Sequence, residues 1–234
     1  MGEQRGRIRR TWRRAAPVVC VPFLAVALAG CTAPSDVPSA GAGSSTPGEQ
    51  GTSTRPAPRP VTFTVVGDSI TAGRVPDGVT VADSGSWVPA AAGGSLQFVP
   101  GWAVSGATTE DMRAGVVPVS ADVVVIMGGT NDLQKVSAET TAADVLAIAQ
   151  TVRAGQVVLA AIPPNDTAPT LATALNRRLG QLADQQGWVF VDPWTPVADQ
   201  GRYVPGASAD GVHPTVEVAE GVGRRIRAEL LDLP

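Results

Sequence analysis

Residues 121–127 read Ala-Asp-Val-Val-Val-Ile-Met, a largely apolar run that stops at a pair of glycines. Runs of the same kind lie at residues 61–66 and 156–162, and shorter ones lie at 96–99 and 187–191. Continuous apolar runs, in contrast to alternating ones, are typical of strands that are covered on both faces of a sheet. The sequence therefore predicts five buried strands.

Three further segments have the periodicity of helices. Residues 138–154, 169–186 and 215–231 carry apolar side chains at steps of three and four, which gives each helix one apolar face. In 169–186 that face consists of four leucines, namely Leu171, Leu175, Leu179 and Leu182. Strands that alternate with helices at this spacing predict an α/β fold, in which helices cover both sides of a parallel sheet.

The amino-terminal residues look like an export signal. An apolar stretch at residues 15–29 follows six arginines, and it is too short to span a bilayer but right for a signal-peptide core. It ends in Leu-Ala-Gly-Cys, which resembles a bacterial lipobox, where the cysteine becomes the lipidated first residue of the mature protein. We expect residues 1–30 to be a lipoprotein signal peptide and Cys31 to anchor an exported domain to the membrane, on its extracytoplasmic side. An ordinary secretory signal that happens to contain a cysteine is the alternative.

Residues 31–60 separate this signal from the domain. They are rich in Ser, Thr, Gly, Pro and Ala and contain a single Val as their only large apolar residue, so they cannot form a core. We expect a disordered tether here. The remaining residues, 61–234, have the size of one domain.

The composition also excludes several functions. From residue 32 onward the chain has 12 basic and 20 acidic residues, and a net charge of −8 does not suit the binding of nucleic acid. No cluster of His, Cys and Asp has the spacing of metal ligands, and no glycine-rich phosphate loop follows a strand. We therefore expect neither a metal nor a cofactor. The sequence makes no prediction of the oligomeric state.

A histidine-dependent mechanism has one candidate, because His213 is the only histidine of the chain. It lies in Asp210-Gly211-Val212-His213-Pro214, where the glycine permits a tight turn. Such a turn can bring the Asp210 carboxylate to one ring nitrogen while the other nitrogen faces a nucleophile. A surface histidine in front of a helix is the alternative.

Four strings resemble the sequence blocks of the SGNH hydrolases, a family of GDSL-like lipases and esterases. In chain order they are Gly67-Asp68-Ser69-Ile70, Ser105-Gly106-Ala107-Thr108, Gly129-Thr130-Asn131-Asp132 and Asp210-Gly211-Val212-His213-Pro214. One such string would be a weak signal, but four in this order across residues 61–234 are specific. The resemblance implies a flavodoxin-like, three-layer α/β/α sandwich.

The resemblance also implies roles for individual residues. Ser69 would be the nucleophile of a catalytic triad with Asp210 and His213. The backbone N–H groups of Ser69 and Gly106 and the side-chain amide of Asn131 would form an oxyanion hole. The implied activity is hydrolysis of a carboxylic ester through an acyl-enzyme.

The sequence departs from the family pattern at two positions and from a second hydrolase pattern at one. Ile70 replaces the usual Leu of the first block, and Gly101 stands where the second block often begins with Asn. Thr71 occupies the final glycine position of the G-x-S-x-G elbow, which argues against a standard α/β-hydrolase.

The substrate is open at this point. The domain has no long insertion that would form a lipase lid, so we expect short acyl groups, for example O-acetyl esters on an extracellular glycan. The alternatives are a lipase acting on longer chains, a cell-surface acyltransferase with the same triad, and a tethered binding lipoprotein without catalysis.

Two further pairs of residues have more than one interpretation. Asp68 and Asp132 could act as a carboxylate pair, although we favour hydrogen bonds that brace their loops. Trp87 and Trp102 lie near the motif strings and could line a substrate pocket or pack in the core.

Overall fold

The structure is a computed structural model and describes residues 59–73 and 85–233. The expected signal peptide, Cys31 and nearly all of the expected tether lie outside the described residues. Arg59, which we assigned to the tether, makes two hydrogen bonds of 2.8 Å to the carboxylate of Asp122 next to the sheet. Within the described ranges, no helix combines the length and the apolar character needed to cross a bilayer.

The described part of the chain is built on a six-stranded sheet. Its strands are β1 (Val61–Gly67), β2 (Leu96–Phe98), β3 (Trp102–Ala103), β4 (Val123–Met127), β5 (Gln156–Ala160) and β6 (Val189–Val191). Five of them run in the order β2-β1-β4-β5-β6, and β3 pairs with the carboxyl-terminal end of β1. Every pairing within this sheet is parallel. The parallel sheet predicted from the apolar runs is confirmed.

Helices cover both faces of the sheet. They are α1 (Ser69–Ala72), α2 (Val88–Ala91), α3 (Thr109–Gly115), α4 (Ala138–Val152), α5 (Pro169–Gln186) and α6 (Val216–Leu231). The apolar residues of α2 and α6 pack on one face, and those of α3, α4 and α5 pack on the other. The fold is therefore the three-layer α/β/α arrangement that we expected.

Strand β4 shows why a continuous apolar run was required. All five of its side chains are buried, and they alternate between the two cores: Val125 packs in one, and Val124 and Ile126 pack in the other. Because helices cover both faces of the sheet, a polar side chain at any of these positions would be buried away from water.

Some predicted boundaries were wrong. Strand β6 begins at Val189 because Gly187 ends α5 with a φ of +69°, and the N–H of Trp188 still donates to Ala183 at 2.9 Å. Leu171 is 45% exposed, so it does not belong to the buried face of α5. Several short elements were not predicted: the helices α1, α2 and α3, the strand β3, and an antiparallel hairpin of β7 (Ala198–Asp199) and β8 (Arg202–Tyr203).

The topology places the motif strings together. Because the strands are parallel, their carboxyl ends meet at one edge of the sheet, where ligand sites of open α/β sheets lie. Ser69 follows β1, Gly106 follows β3 and Asn131 follows β4. Two short 3-10 helices (Thr130–Asp132 and Thr195–Val197) complete the elements of the described chain.

Candidate active site

Ser69 lies at the sharp turn from β1 into α1. Asp68 caps the helix, since its Oδ1 accepts a hydrogen bond of 3.0 Å from the N–H of Ile70. Gly67 is needed for space, because a Cβ at this position would lie 2.8 Å from the carbonyl oxygen of Met127. Strand β1 and the buried residues after Ser69 therefore hold its hydroxyl at the edge of the sheet.

Trp87 and Ser86 support this turn through hydrogen bonds to Thr71. Its indole N–H donates to Oγ1 of Thr71 at 3.1 Å, and the hydroxyl of Ser86 donates to the carbonyl oxygen of Thr71 at 2.6 Å. Trp87 is 1% exposed and belongs to the core, which decides between its two interpretations. Trp102 packs against the opposite core and does not line the pocket described below.

Ser69, His213 and Asp210 form a continuous chain of hydrogen bonds. The Oγ of Ser69 lies 3.0 Å from Nε2 of His213, and Nδ1 of His213 lies 2.8 Å from Oδ2 of Asp210. An ionised Asp210 can only accept, so Nδ1 carries the ring hydrogen and Nε2 is left to accept from the serine hydroxyl. The three residues that the sequence predicted as a triad thus meet in the arrangement that a triad requires.

The second carboxylate oxygen of Asp210 holds its own loop. Oδ1 accepts from the backbone N–H of His213 at 2.7 Å and from that of Val212 at 2.9 Å. Partial burial acts to raise the pKa of Asp210, but the hydrogen bonds from the backbone and ring of His213 and from Val212 outweigh it and hold this pKa well below its usual range. Asp210 is therefore ionised at neutral pH.

Three residues that we did not predict position the histidine loop. The hydroxyl of Ser208 donates to the carbonyl oxygen of His213 at 2.6 Å and accepts from the N–H of Gly211 at 2.9 Å. The phenol of Tyr203 donates to Val212 at 3.0 Å, and Oδ1 of Asp166 accepts from the N–H of Tyr203 at 2.9 Å. The contact between Asp166 and Tyr203 joins segments that are 37 residues apart, so the local sequence carries no signal for it, whereas the hydroxyl of Ser208 bonds to residues within its own loop.

Gly106 and Asn131, two of the three expected oxyanion residues, lie on neighbouring loops. Gly106 has a φ of +80°, which favours glycine, and a Cβ at this position would meet no atom within 4 Å. Glycine is therefore required here by the backbone conformation and leaves the space in front of it open. The side-chain amide of Asn131 donates to the carbonyl oxygen of Ala107 at 3.0 Å, so one of its two hydrogens fixes the side chain and the other is left for a ligand.

A pocket of about 840 Å³ opens in front of these groups. It is lined by Ser69, Gly106, Asn131, Asp210 and His213, the residues that the sequence singled out. Its remaining walls are mainly small or apolar and include Ile70, Ala209, Pro214 and Val216. The volume lies within the usual range for small-molecule sites, so an ester with its leaving group can enter.

Asp68 and Asp132 each make the hydrogen bonds expected of loop braces. Asp68 caps α1, while Asp132 accepts from the N–H and the hydroxyl of Thr109 and from the hydroxyl of Thr141. The pKa of Asp68 is raised to about 6, and burial is the largest cause. The charge of Asp132 acts in the same direction, whereas the hydrogen bond from Ile70 and the proximity of His213 act to lower this pKa.

In residues 59–73 and 85–233, no three side chains of His, Cys, Asp or Glu lie close enough together to hold a metal ion. The pocket contains a serine hydroxyl, an imidazole and a carboxylate that are connected by hydrogen bonds, and hydrogen-bond donors lie beside them. This is the chemistry of acyl transfer to serine.

Comparison with known proteins agrees with this geometry. The model of the GDSL-like lipase/acylhydrolase family matches residues 65–220, which include all four motif strings. No curated protein matches the sequence of the chain.

Solved structures share the fold. An inhibitor-bound aryl esterase of M. smegmatis is similar over 74% of this chain and 100% of its own, with a TM-score of 0.57 and 20% identity. A carbohydrate acetylesterase from Sinorhizobium meliloti is similar over 73% of this chain and 98% of its own, with a TM-score of 0.55 and 17% identity.

Proposed function

The chain belongs to the GDSL-like lipase/acylhydrolase family and is a carboxylic ester hydrolase, and on this premise we propose that it works through a Ser69-His213-Asp210 triad. The observation that carries the proposal is the line of two hydrogen bonds, 3.0 Å from Ser69 to His213 and 2.8 Å from His213 to Asp210. The first distance suits transfer of the serine proton to His213, and the second suits the hydrogen bond by which Asp210 orients the ring and stabilises its charged form.

In the first half of the reaction, the Oγ of Ser69 attacks the carbonyl carbon of the ester while its proton passes to Nε2 of His213. Asp210 stabilises the imidazolium that forms, because its ionised carboxylate accepts the hydrogen bond from Nδ1. The tetrahedral intermediate then expels the alcohol, which takes the proton from Nε2. Ser69 is left as an acyl ester.

The negative charge on the former carbonyl oxygen needs donors at the moment of attack. We assign them to the N–H groups of Ser69 and Gly106 and to the side-chain amide of Asn131, which surround the same pocket. Such preorganised donors are typically worth about 2.7–4 kcal/mol each in transition-state stabilisation. The second half of the reaction repeats these steps with water as the nucleophile and releases the carboxylic acid.

We propose short acyl groups as substrates, with acetyl esters of glycans as the first class to test. The walls beside the triad are formed by short side chains such as Ala209 and Val216, and the pocket is open toward solvent, which suits a small acyl group on a bulky alcohol. The structural similarity to an aryl esterase and to a carbohydrate acetylesterase supports this choice, which the sequence had already suggested. Longer acyl chains and transfer of the acyl group to a sugar hydroxyl are the competing activities.

We also propose that the enzyme is exported and held at the membrane by a lipid on Cys31. This proposal rests on the basic head, the apolar stretch and the Leu-Ala-Gly-Cys string of the sequence. Metabolic labelling with a palmitate analogue tests it: label in the wild-type chain that is absent from Cys31→Ser supports the anchor, and equal labelling of both contradicts it.

The deciding experiment for the activity uses a series of p-nitrophenyl esters from acetate to palmitate, with the purified chain in detergent and Ser69→Ala as control. We expect turnover that falls as the acyl chain lengthens and that is lost in Ser69→Ala. Full turnover in Ser69→Ala would exclude the mechanism, and a preference for palmitate would exclude the proposed substrates. An added glycan acceptor separates transfer from hydrolysis, because transfer yields an acylated glycan in place of free acid.

A further inference from the structure

Two of the three expected oxyanion donors, Gly106 and Asn131, are carried by loops that follow different strands. Gly106 lies after β3, and Asn131 lies in the 3-10 turn after β4. Donors contribute to catalysis only if they hold the position of the oxyanion within a fraction of an ångström, roughly 0.5 Å. Some contact must therefore fix these loops to each other.

Asp132 makes that contact. It follows Asn131 directly, and its Oδ2 accepts from the backbone N–H of Thr109 at 3.0 Å while its Oδ1 accepts from the Thr109 hydroxyl. Thr109 begins α3 and lies three residues after Gly106. Both oxygens of one carboxylate thus hold the segment that leads out of the Gly106 loop.

Both residues of this contact are buried, which makes its hydrogen bonds difficult to replace. Asp132 is 3% exposed and Thr109 is fully buried, so water cannot replace the hydrogen bonds between them. A carboxylate that loses a buried donor retains the cost of its own desolvation. The two residues therefore remain joined as long as the fold is intact.

We infer that Asp132 is a positioning residue, which locks the Gly106 loop and the Asn131 turn into one rigid oxyanion hole through Thr109. The hydrogen bond from Asn131 to the carbonyl oxygen of Ala107, at 3.0 Å, crosses the same gap nearer to the pocket. Asp132 itself does not line the active-site pocket, so its effect on the reaction must pass through its neighbours. The inference rests on the proposed function, because it presumes that Gly106 and Asn131 stabilise the oxyanion.

The chain offers a matched control for this inference. The hydroxyl of Thr141, in α4, donates to the same Oδ1 of Asp132 at 3.3 Å, and Thr141 is 1% exposed. Thr109→Val and Thr141→Val each remove one buried hydroxyl donor to the same oxygen without changing the shape of the side chain. Only Thr109 belongs to the segment that carries an oxyanion donor.

The test compares the turnover of p-nitrophenyl acetate by the two variants. It also measures their inhibition by a boronic acid, because the tetrahedral adduct of a boronic acid with the serine places an oxygen in the oxyanion hole. We expect Thr109→Val to lower kcat about 10-fold or more while KM stays within about twofold of the wild type. Inhibition by the boronic acid should weaken by a factor similar to the loss of kcat. Thr141→Val should keep kcat and boronic acid inhibition within about twofold of the wild type, although it lowers the melting temperature. Thr109→Ser, which restores a hydroxyl, should recover most of the lost kcat.

Equal losses of kcat in the two valine variants would overturn the inference, since the carboxylate would then serve only the stability of the core. An unchanged kcat in Thr109→Val would overturn it as well. Failure of the proposed function is recognised separately, because Ser69→Ala would then retain turnover whatever the two threonine variants show.

Discussion

The backbone N–H of Asp166 donates a hydrogen bond to the carbonyl oxygen of Gly211 at 2.9 Å, and the Asp166 side chain fills the space beside this glycine. A Cβ at position 211 would lie 2.7 Å from the Cβ of Asp166, and the φ of Gly211 is +75°. The turn that brings Asp210 to His213 is thus packed tightly against the loop after β5.

Gly211→Ala should therefore displace the histidine loop and lower kcat. We expect a loss of about 10-fold or more, because small shifts of catalytic groups have large effects on rate, and a stability cost of about 1–2 kcal/mol from the left-handed backbone. Gly206→Ala is the matched control, since Gly206 has a φ of +84° but a Cβ at this position would meet no atom within 4 Å. Similar kcat values for the two variants, measured beside their urea unfolding curves, would contradict the role of this packing.

Asp210→Asn should lower kcat by roughly 10⁴-fold while the chain stays folded. The amide keeps the shape of the side chain but cannot stabilise the imidazolium of His213. Because hydrogen bonds from His213 and Val212 hold the pKa of Asp210 far below its usual range in spite of partial burial, protonation of Asp210 itself should make no contribution to the pH dependence of the wild-type kcat across neutral pH. Asp192→Asn, where Oδ1 accepts from the N–H of Trp194 in a similar turn outside the pocket, should leave kcat unchanged.

Asn131→Ala should lower kcat by about 10²- to 10³-fold with little change in KM, because the lost donor acts on the oxyanion and not on the bound ester. Asn131→Asp keeps the size of the side chain but places an acceptor where the donor stood, so its loss should be at least as large. Steady-state kinetics on p-nitrophenyl acetate measure both. A kcat within twofold of the wild type in Asn131→Ala would remove Asn131 from the oxyanion hole.

Asp68→Asn should change the way in which stability depends on pH. Burial raises the pKa of Asp68 from 3.8 to about 6, so the folded chain binds its proton more tightly than the unfolded chain does. As the pH rises through this window the wild type loses stability, by about 2–3 kcal/mol for a shift of this size. The variant keeps an acceptor for the N–H of Ile70 but has no proton to lose.

Urea unfolding at pH 4 and pH 7 tests this expectation. The stability of the wild type relative to Asp68→Asn should be higher at pH 4 and should fall by about 2–3 kcal/mol at pH 7. Comparison with the variant cancels the opposite contributions of Asp122 and Asp210, whose pKa values are lowered. A constant difference would mean that Asp68 has an ordinary pKa in the folded chain.

The long elements could be predicted from the sequence because their signal is local. Strand β4 is apolar throughout, strands β1 and β5 are rich in apolar and β-branched residues, and helices α4, α5 and α6 repeat their apolar side chains over several turns. Three of the motif strings then located the edge of the sheet where the site lies, since each follows a parallel strand. The fourth string, with Asp210 and His213, was assigned to the site by the family resemblance.

Strand β3 could not be predicted because a partner far along the chain creates it. It consists of two residues and exists through its pairing with Val66 and Gly67 of β1. The same holds for two supports of the site: Asp166 matters through its bond to Tyr203, and Asp132 matters through its bonds to Thr109. Side chains that act through residues distant in the sequence produce no recognisable sequence pattern at their own positions.

The pocket is assembled from two kinds of chain segment, and this division affects how readily the enzyme can acquire new substrates. Ser69, Gly106 and Asn131 stand on turns fixed by buried hydrogen bonds and by glycines, whereas Ala209 and Val216 contribute wall surface beside them. A combinatorial library confined to positions 209 and 216 would vary selectivity while the reacting groups keep their places. We therefore expect substitutions at these two positions to change substrate selectivity with smaller effects on kcat than substitutions at Ser69, Gly106 or Asn131.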